Sequence, residues 1–278
     1  MLLDQTTAIA ARRRAFRALH DGPGILVLPN AWDVISARVY EDAGFPAVAT
    51  SSAGLANSLG YADGNVLDVE LHLATLQRLV LALDVPLSAD VESGYAADTA
   101  ELVAFVARLD ATGIAGYNLE DVAEPGELFG VAEARERVRA ARAAAPHVFL
   151  NARTDVYLAN IGPESTRFER TVERLHAFAE AGADGVFVPG IFDAETIGKL
   201  AAAAPLPLNV LAGPRVPDAA ALQRLGVRRV TVGSWAMRRT LGVLREIATE
   251  LSDAGTFSFT REPSVSYDDA NALLRRRP

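Results

Sequence analysis

Val148-Phe149-Leu150-Asn151-Ala152-Arg153-Thr154-Asp155 begins as an apolar run and ends in polar and charged groups. Val148–Ala152 has the length and composition of a buried strand. Downstream, Phe168, Val172, Leu175 and Ala179 recur at i, i+4, i+7 and i+11, which draws one apolar stripe along a helix. Gly182 then supplies a left-handed turn before the next strand, Gly185–Val188. Strand, helix and strand in this order make one parallel βαβ unit.

The same unit repeats in both directions along the chain. Candidate strands are Ile25–Leu28, Ala47–Thr50, Pro86–Asp90, Ile114–Leu119, Val148–Ala152, Gly185–Val188, Leu206–Leu211 and Arg229–Gly233, each followed by a helical stretch. Gly44, Gly113 and Gly226 punctuate the helix-to-strand turns as Gly182 does, and Asp98 with Glu101 forms a capping pair. Met237, Leu241, Leu244 and Leu251 form a second stripe, expected to pack on a barrel wall. Eight such units in 278 residues predict a single α/β domain, a (β/α)₈ TIM barrel spanning residues 1–278. A doubly wound open sheet is the alternative. An extra N-terminal helix, Thr6–His20, precedes the first strand. A C-terminal helical tail follows Ala254, with Phe257, Phe259 and Leu273-Leu274 expected to meet another subunit.

Composition removes several classes of function. Half the residues are apolar, enough for a large core, and the formal net charge of −8 argues against nucleic acid as a partner. No apolar run is long enough to span a membrane, and the start Met1-Leu2-Leu3-Asp4-Gln5 does not read as a signal peptide, so a cytoplasmic location is expected. Without cysteine there is no thiolate nucleophile and no cysteine–zinc site. Lys199 is the sole lysine and is expected to be solvated in mid-helix. The four histidines, His20, His72, His147 and His176, are read as structural.

Barrel active sites lie at the C-terminal ends of the strands. Those ends carry Thr50-Ser51-Ser52, Asp90-Val91-Glu92, Asn118-Leu119-Glu120-Asp121 and Arg153-Thr154-Asp155, with Asp63 in a loop and Asn209 on the seventh strand. Carboxylates crowded into one mouth repel each other unless a cation neutralises them. Oxygen donors without histidine or cysteine select Mg²⁺, or Mn²⁺, over zinc. Asp90 is the expected direct ligand, and Asp63, Glu92 and Glu120 are expected to hold its waters. Arg153 can grip a substrate carboxylate with two parallel hydrogen bonds, helped by Thr50, Ser51, Ser52 and Asn209. Asp121 and Asp155 are left as caps or salt-bridge partners, whereas Trp32 and Asp33 after the first strand could line the mouth, with an N-cap of the next helix the equal reading for Asp33.

Ser58-Leu59-Gly60-Tyr61-Ala62-Asp63, Ala89-Asp90-Val91-Glu92-Ser93-Gly94-Tyr95, Asn118-Leu119-Glu120-Asp121 and Ala152-Arg153-Thr154-Asp155 resemble the isocitrate lyase/phosphoenolpyruvate mutase superfamily in order and spacing. The resemblance runs from Pro29 to about Gly233. It implies a (β/α)₈ barrel, a homodimer or homotetramer that often exchanges a terminal helix, Mg²⁺, and substrates passing through an enolpyruvate-like species. It also implies Asp90 as metal ligand, Asp63, Glu92 and Glu120 as its outer shell, and Arg153 with the Thr50–Ser52 turn as the carboxylate site. Two departures stand out. Glu92 replaces the aspartate frequent at that position. The loop Asp121–Gly130 lacks the Lys/Cys/Gly/His motif that supplies the isocitrate lyases with a catalytic acid, and the Lys and Asn of the mutase.

These residues point to a Mg²⁺-dependent lyase. It would cleave a C–C bond of a small 2-oxo or 2-hydroxy di- or tricarboxylate, as an isocitrate or methylisocitrate lyase or an oxaloacetate decarboxylase does. Arg153, Glu120 and Glu92 are the expected catalytic groups. Glu124, Glu127, a hydroxyl or a metal-bound water could give the proton. The alternatives are P–C chemistry of the phosphoenolpyruvate mutase or phosphonopyruvate hydrolase kind, and a 2-oxo acid binding protein with little turnover.

Overall fold

The computed structural model describes residues 2–275, so Met1 of the start weighed against a signal peptide lies outside them. The chain opens with α1 (Leu2–Asp21), β1 (Leu26–Leu28), β2 (Asn30–Ala31), α2 (Val34–Asp42), β3 (Val48–Thr50), α3 (Ser52–Ser58) and α4 (Val69–Ala82). It continues through β4 (Leu87–Asp90), α5 (Thr99–Ala111), β5 (Gly116–Glu120), a hairpin of β6 (Val122–Glu124) and β7 (Glu127–Leu128), α6 (Val131–Ala144) and β8 (Phe149–Arg153). Next come α7 (Glu164–Glu180), β9 (Gly185–Val188), α8 (Ala194–Ala203), β10 (Leu208–Leu211), α9 (Ala219–Arg224) and β11 (Arg229–Thr231). The chain ends in α10 (Trp235–Asp253), a 3₁₀ turn (Ser258–Arg261) and α11 (Tyr267–Leu274).

The main sheet runs β1-β11-β10-β9-β8-β5-β4-β3-β2 with every pairing parallel. Its two end segments, β1 and β2, are successive parts of one strand interrupted only by Pro29, so the chain itself completes the ring. Pro29 has no N–H to give, and its carbonyl still accepts from Ala49 N at 2.8 Å. The first expected strand thus serves both neighbours, with β1 pairing to β11 and β2 to β3. All eight expected strands are present among the described residues, and the fold is the α/β barrel that the repeats predict.

Helices bury their stripes outside this ring. On α7, Leu175 is fully buried, with Phe168 and Val172 packed beside it. Gly44, Gly113, Gly182 and Gly226 all take positive φ in the turns they were expected to make. Asp98 and Asp33 cap α5 and α2. His20 and His72 are buried, and Lys199 is exposed and paired with Glu195 at 2.6 Å. The expected α10 stripe requires correction. Met237 is buried, but Leu241, Leu244 and Leu251 are 45%, 58% and 44% exposed, because α10 runs past the wall that its own chain offers. The tail turns back instead. α11 packs on α2, where Arg38 Nε donates to the Leu273 carbonyl at 2.7 Å.

Inside the ring, α1 closes the N-terminal end. Phe16 lies edge-on to Phe149, His20 stacks on Phe149 at 4.0 Å between ring centres, and Leu26, Leu28, Ala47, Ala49 and Ala115 complete an apolar floor. The opposite end is left for charged groups.

Candidate active site

At the C-terminal end the strands deliver their polar ends to one place. Asp90, the last residue of β4, is buried. Its Oδ2 accepts from Ser52 N at 3.2 Å and Ser52 Oγ at 3.0 Å, and its Oδ1 accepts only a long 3.4 Å bond from Asn118 Nδ2 among the described residues. Thr50 Oγ1 accepts from the Asp90 backbone N–H at 2.9 Å, and Ser51 Oγ caps α3 by accepting from Gly54 N. The Thr50–Ser52 hydroxyls, expected to meet a substrate carboxylate, are thus engaged in holding Asp90 and starting α3. The turn builds the acid's seat.

Glu92 sits at φ 51°, a left-handed conformation that costs a side-chain-bearing residue free energy. Both of its carboxylate oxygens are latched. Oε1 accepts from the Tyr95 hydroxyl at 2.9 Å, and Oε2 accepts from Asn65 N in a short contact. Asn65 (φ 58°) and Tyr95 (φ 51°) are themselves left-handed. Of the four non-glycine residues with positive φ among those described, three are therefore this acid and the two residues that latch it. Strain clustered in this way marks a geometry that the surroundings impose. Asp63 stands more open on its loop, within reach of the Ser52 hydroxyl and the Asp90 charge.

Glu120 ends β5 directly across from Arg153 at the end of β8. Arg153 Nη1 lies 2.9 Å from Glu120 Oε2. The Nε/Nη2 edge of the guanidinium is held bidentately by Asp155, at 2.6 and 2.7 Å. The fork expected to be open for substrate is therefore taken by Asp155 on its Nε/Nη2 edge and met by Glu120 at Nη1. Asp155 fills the salt-bridge role it was given, and in doing so fixes the plane of the arginine. Asp121 does likewise for the next shell, accepting from Asp155 N at 3.0 Å and pairing with Arg174 at 2.8 Å.

The electrostatics follow from this crowding. Burial pushes the Glu120 carboxyl up, against the pull of Arg153. Burial also raises Glu92, opposed by its hydrogen bonds from Asn65 and Tyr95, and raises Asp63, helped by the Asp90 charge. Asp63, Asp90, Glu92 and Glu120 thus share the mouth with Arg153, whose charge is already paired with Glu120 and Asp155. A cleft of about 490 Å³ opens there, lined by Asp63, Asn65, Glu92, Tyr95, Glu120 and the hairpin residue Glu124, among others. Among the described residues no three His, Asp or Glu side chains converge tightly enough to hold a metal alone. The donors are all oxygen and Asp90 Oδ1 is lightly engaged, which fits an ion that keeps most of its waters.

Three features of the barrel interior and the loop above it go beyond what the strand ends imply. Asn209, expected to contact substrate, is fully buried inside the barrel, with neither amide atom partnered among the described residues. Arg229 is also buried inside the barrel, its Nη2 lying 3.3 Å from Asn118 Oδ1. Its place on the same face of β11 as Thr231 was visible in the alternation Arg229-Val230-Thr231, had that face been followed inward. The loop after Glu120 is a hairpin, pinned at its base by Phe129 N donating to the Asp121 carbonyl and by Arg174 donating to the Phe129 carbonyl.

Residues 16–252 match the family model described as phosphoenolpyruvate phosphomutase. The chain belongs to the isocitrate lyase/phosphoenolpyruvate mutase superfamily. It is 30% identical to an oxaloacetate decarboxylase of Pseudomonas fluorescens, over 82% of this chain and 80% of that one. Its fold superposes on a crystal structure from Burkholderia cenocepacia J2315, named as that of a lyase/mutase, with a TM-score of 0.90, 34% identity and coverage of 97% and 98%. A phosphonopyruvate hydrolase solved with oxalate and Mg²⁺ aligns at a TM-score of 0.82, with 25% identity and 94% of both chains covered. Like its superfamily relatives, the chain is an enzyme, and its acid-ringed cleft lies where that fold keeps its chemistry.

Proposed function

We propose that the protein is a Mg²⁺-dependent carbon–carbon lyase acting on a small 2-oxo or 2-hydroxy di- or tricarboxylate, by decarboxylation or retro-aldol cleavage. The observation that carries this reading is the excess of acid in the cleft: Asp63, Asp90, Glu92 and Glu120 share one mouth with Arg153. A divalent cation there would supply Lewis-acid stabilisation of the charge that bond cleavage leaves on the 2-oxo oxygen. Asp90 would hold it directly, while Glu92, latched by Tyr95 and Asn65, would orient its waters together with Asp63 and Glu120. Arg153, its plane fixed by Asp155, would bind the substrate carboxylate through the donors those acids leave free.

Of the two acids that could return a proton to the carbanion carbon, Glu124 lines the cleft, and it is the stronger candidate on that ground. Its neighbour across the hairpin, Glu127, is not part of that lining. The hairpin loop Asp121–Gly130 adds no lysine or arginine to Arg153 at the cleft, which disfavours a phosphoryl group and so the P–C chemistry of the phosphonopyruvate enzymes. The kinship with an oxaloacetate decarboxylase supports the same choice.

The reading extends to assembly. The exposed Leu241, Leu244 and Leu251 of α10, with Phe257 beyond it, favour a homodimer or homotetramer that covers them, and light scattering at micromolar concentration should give a mass above that of one chain.

The test of function is one panel with Mg²⁺ and with EDTA: oxaloacetate, 2-methylisocitrate, isocitrate and phosphonopyruvate. Cleavage of at least one C–C substrate, abolished by EDTA, is expected. Turnover of phosphonopyruvate alone would overturn the lyase reading, and tight 2-oxo acid binding without turnover would make the protein a binder.

A further inference from the structure

Beneath the acid mouth and above the apolar floor lies a layer of amides around one guanidinium. Arg229 is 1% exposed, Asn118 3% and Asn151 1%. The polar contacts of Arg229 are neutral: Asn118 Oδ1 at 3.3 Å and Ser88 Oγ at 3.5 Å, with Nε and Nη1 unpartnered among the described residues. Burial lowers its pKa to about 9, which leaves it cationic at neutral pH. A charge buried beside neutral dipoles is costly, and the nearby Asp90 charge opposes that cost.

The link between the two is identified by donor and acceptor counting. A guanidinium only donates, and an ionised carboxylate only accepts. Asn118 stands between the two. Its Oδ1 receives Arg229 Nη2 and Asn151 Nδ2 (2.9 Å), which turns its Nδ2 toward Asp90 Oδ1 at 3.4 Å. The reversed amide would face donor with donor at Arg229 and oppose its oxygen to the carboxylate. Arg229 thereby selects one orientation of Asn118, and that orientation turns a donor toward Asp90 Oδ1 and aims the carboxylate.

We propose that Arg229 is a positioning residue for Asp90, acting through the Asn118 amide from inside the barrel. This rests on the reading of Asp90 as the direct metal ligand. Neighbours that orient a ligand typically contribute about 10- to 100-fold to metal affinity. Arg229→Met keeps the volume and removes the donors. Titration of the metal-free protein with Mn²⁺, followed by calorimetry or by the electron paramagnetic resonance of free Mn²⁺, should show about 10- to 100-fold weaker binding. Asn118→Ala should weaken binding similarly, and the double variant should be no worse than the worse single, a non-additivity that general loosening of the core would not produce.

Unchanged affinity in Arg229→Met, or full additivity in the double variant, overturns the relay. If Arg229→Met does not fold, Arg229→Lys carries the test. Its ammonium keeps a donor and should hold affinity well above that of Asn118→Ala, and a Lys variant as weak as Asn118→Ala overturns the proposal. A wild-type protein that binds no Mn²⁺ removes the metal reading and this inference together. Wild-type binding that Arg229 does not affect removes only the inference.

Discussion

The two ends of the barrel are built from the same strands and do opposite work. On β8 the inward side chains run Phe149, Asn151, Arg153, and on β5 they run Gly116, Asn118, Glu120. Each strand passes from apolar or small, through amide, to charge. At the floor the packing is dense: a Cβ on Gly116 would lie 2.5 Å from Phe16 Cε1, so glycine is what lets the α1 ring enter the barrel. At the mouth, carboxylates are held above their ordinary range and backbone is held left-handed around Glu92. The floor gains free energy by excluding water from aromatic surface, and the mouth gives some of it up to pre-organise charge. Stability and chemistry are thus separated by roughly the length of a strand.

Two substitutions should break this comparison most visibly. Asp90→Ala should abolish metal binding and lower turnover by about a thousandfold or more, since Lewis-acid stabilisation is worth several kcal/mol. It should lower the melting temperature of the metal-free protein only modestly, because Ser52 N–H and the Asn118 amide lose one acceptor. Phe16→Ala should do the reverse, costing about 3–5 kcal/mol in denaturant unfolding while metal affinity in the surviving folded fraction stays near wild type. If Phe16→Ala weakens Mn²⁺ binding as strongly as Asp90→Ala does, the two ends are not separable.

A smaller effect is expected at Arg153. Its planar fork serves Asp155 on one edge and Glu120 on the other, which an ammonium cannot reproduce. Arg153→Lys should lose about 2 kcal/mol of carboxylate binding, roughly a 30-fold rise in the Kd for a 2-oxo acid, read by calorimetry with Mg²⁺ present. A Kd within threefold of wild type would remove Arg153 from the carboxylate site.

Much of this was legible in the sequence because it depends on periodicity. Strand and helix stripes fixed the barrel, and turn glycines marked its joints, since hydrophobic spacing and backbone sterics act locally. The acids of the mouth were legible because strand ends are readable once the fold is known. What was not legible depends on long-range registration. That Asp155 takes an edge of Arg153, that Ser52 serves Asp90, and that Arg229 reaches Asn118 across 111 positions of sequence are facts of side-chain reach in a closed ring. The α10 stripe shows the converse limit: amphipathicity announced a buried face without naming the surface that buries it.

The finest test of the comparison is the sign of the pH dependence at each end. His20 in the floor is held neutral, its pKa lowered to about 3, first by burial and then by the charge of Arg229. His72, buried in the outer core, is lowered to about 4 by burial. The unfolded chain binds protons at both as pH falls below about 6.5, whereas the folded chain does not until near 3 to 4. Stability must therefore fall with acidification across that window, by up to about 1.4 kcal/mol per pH unit for each histidine. The mouth has the opposite sign. Asp63, Glu92 and Glu120 have raised folded values, so above about pH 4 to 4.5 the folded state retains protons that the unfolded chain has released, and their contribution to stability declines as pH rises. A divalent cation would favour the ionised acids and should flatten that second slope. Melting temperatures from pH 4 to 8, with EDTA and with Mg²⁺, measure both. His20→Phe should shallow the acid slope and leave the Mg²⁺ response intact, and Mg²⁺ should raise the melting temperature more at pH 8 than at pH 5. A Mg²⁺ response that is flat with pH, or an acid slope unmoved by His20→Phe, would mean that the charge balance of the two ends has been assigned to the wrong groups.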